Sequence, residues 1–395
     1  MRPFHYGDSS KDYNYNLNYN QKRGISFQCH ISDLHFGKIS PKVEFDILKE
    51  QFIDKIKLLP LDCISVDGDL FDRLFMSNTD AILYANLFFS ELFNICKNNK
   101  RRGIDTVLII ILGTKTHDSD QLRLFYPYLD DPEVDFRIIE KIQFEWVHGC
   151  RVLCIPELYG VPEEEYQKIL FQSGTYDMVF MHGTIEGAVY DDKTTIGKSR
   201  IFTPYDFSCC KGPVIAGHVH TGPFLHGFCY YNGSPIRWTF GEEEPKGFQL
   251  VLYDMDSRYY YVHKEIITSF RYDTISIDDI IMTDPKEVIK YINNLREKEG
   301  IDYIRLKCST TPYNQDNLNI LKEYYRNDNT VKFKLEKERI GKEGKSEETS
   351  KLYDQYEYFF NRSMSPYQVL AKFINDSQSD IIVTADQIIN ILKEE

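Results

Sequence analysis

Long hydrophobic runs are missing from this chain of 395 residues. No stretch approaches the roughly 20 consecutive apolar residues that a membrane-spanning helix requires, so we expect no membrane partner. The opening residues 1–24 also lack the apolar segment of a secretory signal and are instead rich in Tyr, Asn and Asp. We interpret them as a flexible N-terminal lead.

Cysteine and net positive charge are scarce as well. The nine cysteines are odd in number and mostly embedded in apolar runs, which predicts reduced, buried thiols in a cytosolic protein. No paired CxxC motifs are present to support a zinc finger. The formal net charge is −13, so the overall field of the chain does not attract nucleic acid. Any such partner must be bound through local basic patches or through bound cations.

Short apolar runs alternate with longer amphipathic stretches from residue 25 onward. The runs ISFQCHIS, DCISV and TVLIIIL predict strands, and the stretch over 43–58 predicts a helix with one apolar face made of Phe45, Leu48, Phe52 and Ile56. Such alternation is typical of βαβ units around a buried, largely parallel sheet. Past residue 140 the strand-like runs lie closer together, which indicates a second layer. The sequence therefore predicts an α/β fold over 25–271, a two-layer β-sandwich flanked by helices.

The pattern changes after residue 271. Asp284 followed by Pro285 is typical of a helix start, and a strand, a helix and a second strand follow it. This predicts a small αβ domain over 272–340. The charged segment 341–352 reads as a linker. The tail 353–395 contains two apolar-periodic helices that are too short to be stable alone, so we expect them to dock on a partner.

Aspartate and histidine cluster where the predicted strands end. The segments are ISDLHFG, VDGDLFDR, GTKTHDSD, FMHGT and AGHVH. Residues that follow a buried strand commonly form the active site of an α/β protein. Asp33 and His35 are two residues apart, so we expect both side chains on the same side of an emerging strand, and the same spacing holds for His218 and His220. Oxygen and imidazole ligands suit Mn, Fe or Zn better than calcium. We therefore predict a two-metal centre with Asp69 as the bridging carboxylate.

The order of these motifs, DxH, GDxxDR, His-Asp, His-Gly and GHxH, resembles that of the calcineurin-like metallophosphoesterases over about residues 25–260. The later run Tyr231 to Pro235, followed by Phe240-Gly241-Glu242 and Lys246-Gly247, is similar to the SbcD branch, the nuclease subunit of the bacterial SbcCD complex. The resemblance implies the metallophosphoesterase fold. It also implies a DNA-capping domain at 272–340, a tail that binds a coiled-coil SbcC-like ATPase, and a homodimer for which the apolar stretch 81–96 is the candidate interface.

The same resemblance implies roles for individual residues. The implied metal ligands are Asp33, His35, Asp69 and His220 for one ion, and Asp69, His182 and His218 for the other. Mn²⁺ is the expected ion at both positions. His117 would act on the leaving oxygen as proton donor or electrostatic stabiliser, with Asp72 orienting it. Arg73 would contact phosphate, with a structural salt bridge as its alternative role.

One motif departs from the family pattern. The family has Gly-Asn-His-Asp after the third strand, and its Asn binds the second metal, whereas this chain reads GTKTHD over 113–118. Either Thr114 or Thr116 replaces the missing Asn, or Asp118 or a water fills the gap, or the second metal binds loosely. The sequence leaves these possibilities open.

The expected function is that of a metal-dependent DNA exonuclease and endonuclease, which hydrolyses phosphodiesters in DNA repair or recombination together with an SbcC-like ATPase. Its expected location is the cytoplasm of a bacterium, or of the host if a phage encodes the chain. Two alternatives stay open. A phosphatase or phosphodiesterase for smaller esters would leave the residues after 272 without a use. A non-catalytic scaffold that binds DNA ends is supported by the missing Asn.

Overall fold

The computed structural model of the chain describes residues 24–75, 79–188, 199–242, 244–276, 284–309 and 312–336, together with positions 371, 375 and 384. The predicted lead, linker and docking tail therefore lie almost entirely outside the described residues, and their roles stay predictions. Among the described residues, no helix is both long enough and apolar enough to cross a bilayer.

Six strands form the first sheet. They are β1 (Ile25–Ile31), β2 (Cys63–Asp67), β3 (Val107–Ile111), β4 (Asp135–Ile139), β13 (Gly247–Asp254) and β14 (Tyr260–Ile266). Their order across the sheet is β14-β13-β1-β2-β3-β4. The four strands from β1 to β4 are parallel, as predicted, while β13 pairs antiparallel with both β1 and β14.

Helices cover one face of the first sheet. Helix α1 (Pro41–Leu48) continues through a π-helical turn (Lys49–Ile53) into a short α-helical segment (Asp54–Ile56), and α2 (Asp80–Arg101) follows β2. A 3₁₀ segment (Ser119–Tyr128) lies between β3 and β4. All four residues of the predicted apolar face over 43–58 are buried, and the π-helical turn brings Ile53 into the core beside them. Residues at alternate positions of the strands, such as Leu108 and Ile110, meet these helices.

A second six-stranded sheet lies against the other face of the first. It contains β5 (Gln143–Val147), β6 (Cys150–Ile155), β7 (Met178–His182), β10 (Val214–Gly217), β11 (Phe224–Leu225) and β12 (Cys229–Tyr231), in the order β11-β12-β10-β7-β6-β5. Its four central strands are parallel. Ile109 of the first sheet and Phe180 of the second belong to one buried cluster between the two layers. Helix α3 (Glu163–Gln172) packs on the outer face, where its Tyr166 and Leu170 are buried. A two-residue pair, β8 (Thr184–Ile185) with β9 (Ile201–Phe202), lies beside this sheet's cluster. The α/β class is thus confirmed.

A third, three-stranded parallel sheet follows. It consists of β15 (Tyr272–Ser276), β16 (Tyr303–Ser309) and β17 (Val331–Glu336), with α4 (Pro285–Asn294) and α5 (Pro312–Tyr324) in the crossovers. The predicted start of α4 is confirmed, because the Asp284 carboxylate accepts a hydrogen bond of 2.9 Å from the backbone N–H of Lys286. These elements bury a core of their own that includes Ile292, Leu306 and Leu321. The domain boundaries given above stay a prediction.

Candidate metal centre

The carboxyl ends of five parallel strands meet at one place, with three strands from the first sheet and two from the second. Asp33 and His35 follow β1, Asp69 follows β2, and residues 114–117 follow β3. His182 is the last residue of β7, while His218 and His220 follow β10. Both sheets therefore contribute to one centre, which lies at the edge where α/β proteins commonly bind ligands.

The expectation that each pair projects from one side of a strand is wrong in its local geometry. Asp33 and His35 lie beyond the end of β1, and both have left-handed backbone conformations with φ of 53° and 51°. Asp69 (φ 52°) and His218 (φ 98°) are left-handed too. A non-glycine residue at positive φ costs on the order of 1–3 kcal/mol and is found mainly at functional sites. Tight turns at the strand ends, rather than strand alternation, direct these side chains into the centre.

The first cluster consists of Asp33, His35 and His220, whose ligand-type atoms lie within 4.8 Å of one another. The Nε2 atoms of the two imidazoles are 2.9 Å apart, and the Nε2 of His220 is 3.8 Å from the Asp33 carboxylate. Burial lowers the pKa of His35 well below its usual range, and the neighbouring His220 lowers it further. His35 is therefore neutral and offers a lone pair, which is the form that binds a cation.

The second cluster consists of Asp69, His182 and His218, again within 4.8 Å. The Nε2 of His182 lies 3.3 Å from Asp69. A third group of His35, Asp69 and His117 shares a residue with each cluster, so Asp69 lies within reach of ligand atoms from both. The ring centroids of His35 and His117 are 4.7 Å apart, which places His117 beside the centre.

The orientation of His182 is determined by the residues around it. Its Nδ1 donates a hydrogen bond of 2.7 Å to the backbone carbonyl of Asp67, so its Nε2 points toward Asp69. Gly68 has φ 86°, and a Cβ at that position would collide with the His182 ring. Gly217 passes the same ring closely, so a side chain there would also collide with it. This close packing keeps the ring in a single orientation.

The donor set suits a divalent cation. His182 is buried, and its Nε2 accepts and donates no hydrogen bond although carboxylates surround it. Burial lowers the pKa of His182, but the charge of Asp69 outweighs burial and the pKa lies well above its usual value. Conversely, burial raises the pKa of Asp69, but the charge of His182 holds it well below its usual range. The pocket thus favours positive charge beside Asp69. Buried Asp and His groups here could hold a metal ion.

The structure separates the residues that were candidates to replace the missing Asn as a metal ligand. The Asp118 carboxylate accepts hydrogen bonds from the backbone N–H groups of Gly113 at 2.9 Å, Leu70 at 2.9 Å and Phe71 at 3.3 Å, so its role is to hold two loops together. Burial raises the pKa of Asp118 to about 7. Thr116 is exposed.

Thr114 does reach the centre. Its backbone N–H lies 2.6 Å from Asp69 Oδ1, and its hydroxyl lies 3.1 Å from Asp69 Oδ2 and 3.5 Å from the Nδ1 of His218. Of the residues that the sequence proposed as replacements for Asn, Thr114 is the one that the structure brings to the second cluster.

Sequence reasoning missed Glu157. It lies two residues after β6, and its carboxylate is 3.3 Å from the Nδ1 of His218, 3.7 Å from the Nε2 of His182 and 2.9 Å from the hydroxyl of Thr114. Burial would raise the pKa of Glu157, but the charges of His182 and His218 outweigh it and the pKa is lowered. The available signal was a lone carboxylate just beyond a buried strand, the pattern that identified Asp33 and Asp69.

Glu242 contacts His220 of the first cluster on the outer side of the imidazole ring. Its carboxylate lies 3.5 Å from the Nδ1 of His220, on the side of the ring that faces away from His35. Lys246, 3.4 Å from Glu242, donates a hydrogen bond of 2.8 Å to the backbone carbonyl of His220. Carboxylates in this position fix the tautomer of a metal-binding histidine. Burial raises the pKa of Glu242, but the hydrogen bond with His220 and the charge of Lys246 outweigh it and lower the pKa to about 2.

The predicted pairing of Asp72 with His117 is not formed. Asp72 forms an ion pair of 3.0 Å with Arg73, and the Nδ1 of His117 is buried without a hydrogen-bond partner. Arg73 is largely exposed. The residue expected to orient His117 therefore pairs with Arg73, the residue expected to contact phosphate, which corresponds to the salt-bridge alternative for Arg73.

Comparisons with known proteins add little to this geometry. No protein-family model matches the chain, and no curated protein matches its sequence. Among solved structures, the chain is similar to a mutant of a cold-active protein tyrosine phosphatase, with 10% sequence identity and a TM-score of 0.27 over 62% of this chain and 81% of that one. A superposition of this quality carries no argument about fold or function, so the functional argument depends on the residues of the centre.

Proposed function

We propose that the chain is a metal-dependent hydrolase of phosphodiesters that acts on DNA as an exonuclease and endonuclease, with the metallophosphoesterase fold. One observation carries the proposal. Side chains that follow five different strands, and that are separated by up to 187 residues in the chain (Asp33 to His220), lie together in one pocket with ligand-type atoms within 4.8 Å in each group.

A pair of divalent ions at such a centre would lower the pKa of a bound water and neutralise the charge on a phosphate. In this proposal Asp33, His35, His220 and Asp69 would hold one ion, while the other would share Asp69 and take His182 and His218. Mn²⁺ is the ion that the resemblance implies, and a set of carboxylates and imidazoles without thiolate suits it, as it also suits Fe or Zn. The nine cysteines are all free and none belongs to these groups.

His117 is the proposed proton donor. It stands beside His35 at 4.7 Å between ring centroids, and it shares a group with Asp69. A proton given to the leaving oxygen at this point would complete the addition of water across the P–O bond, which leaves a phosphate monoester and a hydroxyl. Because Asp72 pairs with Arg73, we propose that His117 acts without Asp72 as its partner in the free protein.

The choice of DNA as substrate depends on the sequence motifs and on the third sheet. Phe240 packs against Tyr272 of β15 at 5.0 Å between ring centroids, and the guanidinium of Arg305 from β16 lies 4.8 Å from the Phe240 ring. The third sheet therefore packs on the segment that carries Glu242, the partner of His220. A small ester would not need this extra unit, whereas a polymeric substrate gains a second binding surface. This favours the nuclease over a phosphatase.

The partners remain part of the proposal. We propose that the tail binds an SbcC-like coiled-coil ATPase and that the chain forms a homodimer. The chain and the ATPase would act together in DNA repair or recombination in the cytoplasm. The outer side of α2 carries the exposed Leu83 and Leu87, which belong to the predicted dimer stretch.

The test is incubation of the purified chain with Mn²⁺ and linear duplex or single-stranded DNA, alone and with its ATPase partner. We expect cleavage by the wild type and loss of cleavage in His117→Ala. Absence of cleavage above that variant would refute the nuclease. Turnover of a chromogenic phosphodiester with DNA left intact would support the small-ester alternative instead.

A further inference from the structure

Glu157 is a buried residue whose backbone is hydrogen-bonded to the other sheet. Its backbone N–H donates a hydrogen bond of 3.1 Å to the carbonyl of Leu112, which lies just beyond β3 of the other sheet. That bond joins the segment after β6 to the segment after β3, which carries Thr114. The Glu157 side chain is consequently held at the second cluster by the packing of the two sheets.

The Glu157 carboxylate lies beside ring nitrogens of two histidines that are themselves proposed metal ligands. Its Oε2 is 3.7 Å from the Nε2 of His182, the atom that makes no hydrogen bond and that faces Asp69. The same oxygen is 3.3 Å from the Nδ1 of His218. Among the described residues, no lysine or arginine forms an ion pair with it. A cation between these atoms would provide the positive charge that a buried carboxylate requires.

The remaining contacts of Glu157 position it. The hydroxyl of Tyr159 donates a hydrogen bond of 2.7 Å to Oε1, which leaves Oε2 directed at the histidines. The hydroxyl of Thr114 lies 2.9 Å from Oε2 and 3.1 Å from Asp69, so it stands between two carboxylates. A neutral hydroxyl is a weaker ligand than a carboxylate, and its single hydrogen can be donated to Glu157 while the backbone N–H of Thr114 donates to Asp69.

We propose that Glu157 is a ligand of the second metal ion and takes the role that the resemblance assigns to a neutral Asn, with Thr114 as a positioning residue. This inference rests on the proposed two-ion centre. It makes the second site more acidic than a site with an amide ligand, since Asp69 and Glu157 both contribute charge. We therefore expect the second ion to be bound firmly rather than loosely.

The experiment counts Mn²⁺ ions bound to the full chain, by electron paramagnetic resonance titration and calorimetry, without reference to activity. The wild type should bind two ions. Glu157→Gln, which keeps the size of the side chain, should bind the first ion unchanged and the second at least about 10- to 100-fold more weakly. The matched control is Glu164→Gln, the same chemical change at an exposed position of α3. It should bind as the wild type does.

The outcomes for Glu157 and for the nuclease are separable. If Glu157→Gln binds two ions with wild-type affinity, or if the wild type binds fewer than two, the assignment of Glu157 is overturned. If the second ion is lost in Glu157→Gln while wild-type protein leaves DNA intact, the ligand stands and the nuclease does not. Should Glu157→Gln not fold, as judged by its metal-free melting curve, Glu157→Asp takes its place. The shorter carboxylate of Asp should weaken the binding of the second ion alone, and an unchanged affinity for that ion would again contradict the assignment.

Discussion

The two halves of the centre, which are the first and the second cluster, each have a buried glutamate beside their histidines, and the two glutamates have different roles. Glu242 and Glu157 are both buried, with exposed fractions of 3% and 4%. Glu242 meets the Nδ1 of His220, whose Nε2 faces His35, whereas Glu157 lies 3.3 Å from the Nδ1 of His218 and 3.7 Å from the Nε2 of His182, the nitrogen that faces Asp69. The first position orients a histidine ligand, and the second is the position of a ligand. The role of a buried carboxylate depends on whether it reaches a ring nitrogen that points into the cluster, as Glu157 does at His182.

Helix α1 shows a buried glutamate without an imidazole. Glu44 is 0% exposed, and burial raises its pKa well above the usual value, although the backbone N–H of Gly37 opposes the shift. In Glu157 and Glu242 the nearby imidazoles reverse the effect of burial. The partner, not the burial, decides whether such a carboxylate is ionised at neutral pH.

Removing Asp69 should break both halves at once and give the largest effect. Asp69 belongs to two of the three ligand groups, so Asp69→Asn should weaken Mn²⁺ binding at both positions by more than about 100-fold and abolish cleavage. Mn²⁺ titration measures the first effect. Asp105→Asn, the same change at an exposed position, is the control. Retention of one ion at full affinity would show that Asp69 does not bridge.

Glu242→Gln should affect the first half alone. Loss of the carboxylate behind His220 frees the tautomer of that ring, so we expect the first ion to bind about 10- to 100-fold more weakly while the second is unchanged. Glu244→Gln, an exposed glutamate two residues away, is the control. A variant that loses the second ion instead would contradict the division of the centre into two halves.

Glu242 should also contribute stability that depends on pH. Its pKa in the folded chain is about 2, below the ordinary value of 4.5, so the stabilisation is present above about pH 4.5 and is lost as the pH falls toward 2. We expect Glu242→Gln to be less stable than wild type by about 3 kcal/mol at pH 7. Urea unfolding in a metal chelator should show this gap narrowing below about pH 4.5 and closing near pH 2. A gap that does not change with pH would contradict the assignment.

Glu44→Gln should give the smallest effect, in the opposite direction. Because the pKa of Glu44 is raised in the folded chain, its ionisation in the unfolded chain destabilises the wild type as the pH rises above about 4.5. The variant should match wild type at pH 4 and melt a few degrees higher at pH 8. Glu50→Gln, exposed on the following turn, should melt as wild type at both pH values. Equal melting temperatures for Glu44→Gln and wild type at pH 8 would contradict the prediction.

Most of the secondary structure could be predicted from hydrophobic periodicity. The buried strands β3, β7 and β10 are almost entirely apolar, β1 and β2 are apolar runs interrupted by polar residues, and α1 and α2 show the spacing of one buried face. The π-helical turn in α1 and the left-handed turns at Asp33 and His35 could not be predicted in this way. They depend on contacts with the rest of the fold, which override local preference.

Site residues could be predicted where an aspartate or histidine stands at the end of a strand within a recognisable motif, as Asp69 and His182 do. The pairing of Asp72 with His117 was not, because two neighbours in sequence, Asp72 and Arg73, bind each other instead. Glu157 gave the weakest signal, since a single glutamate after an apolar run resembles any surface loop. Its place is identified by tertiary contacts, namely the hydrogen bond between its backbone and Leu112 and the approach of its carboxylate to His182 and His218.

The sequence alone determined the α/β class, the alternation of buried strands and amphipathic helices, and the set of aspartates and histidines available for a cation. These follow from local pattern, because burial on a strand or a helix face requires a fixed spacing of apolar residues. The tertiary structure alone decided which carboxylate faces which imidazole, and so that Glu242 stands behind one histidine and Glu157 in front of another. Those relations join residues far apart in the chain, and only the packing of two sheets sets their distances.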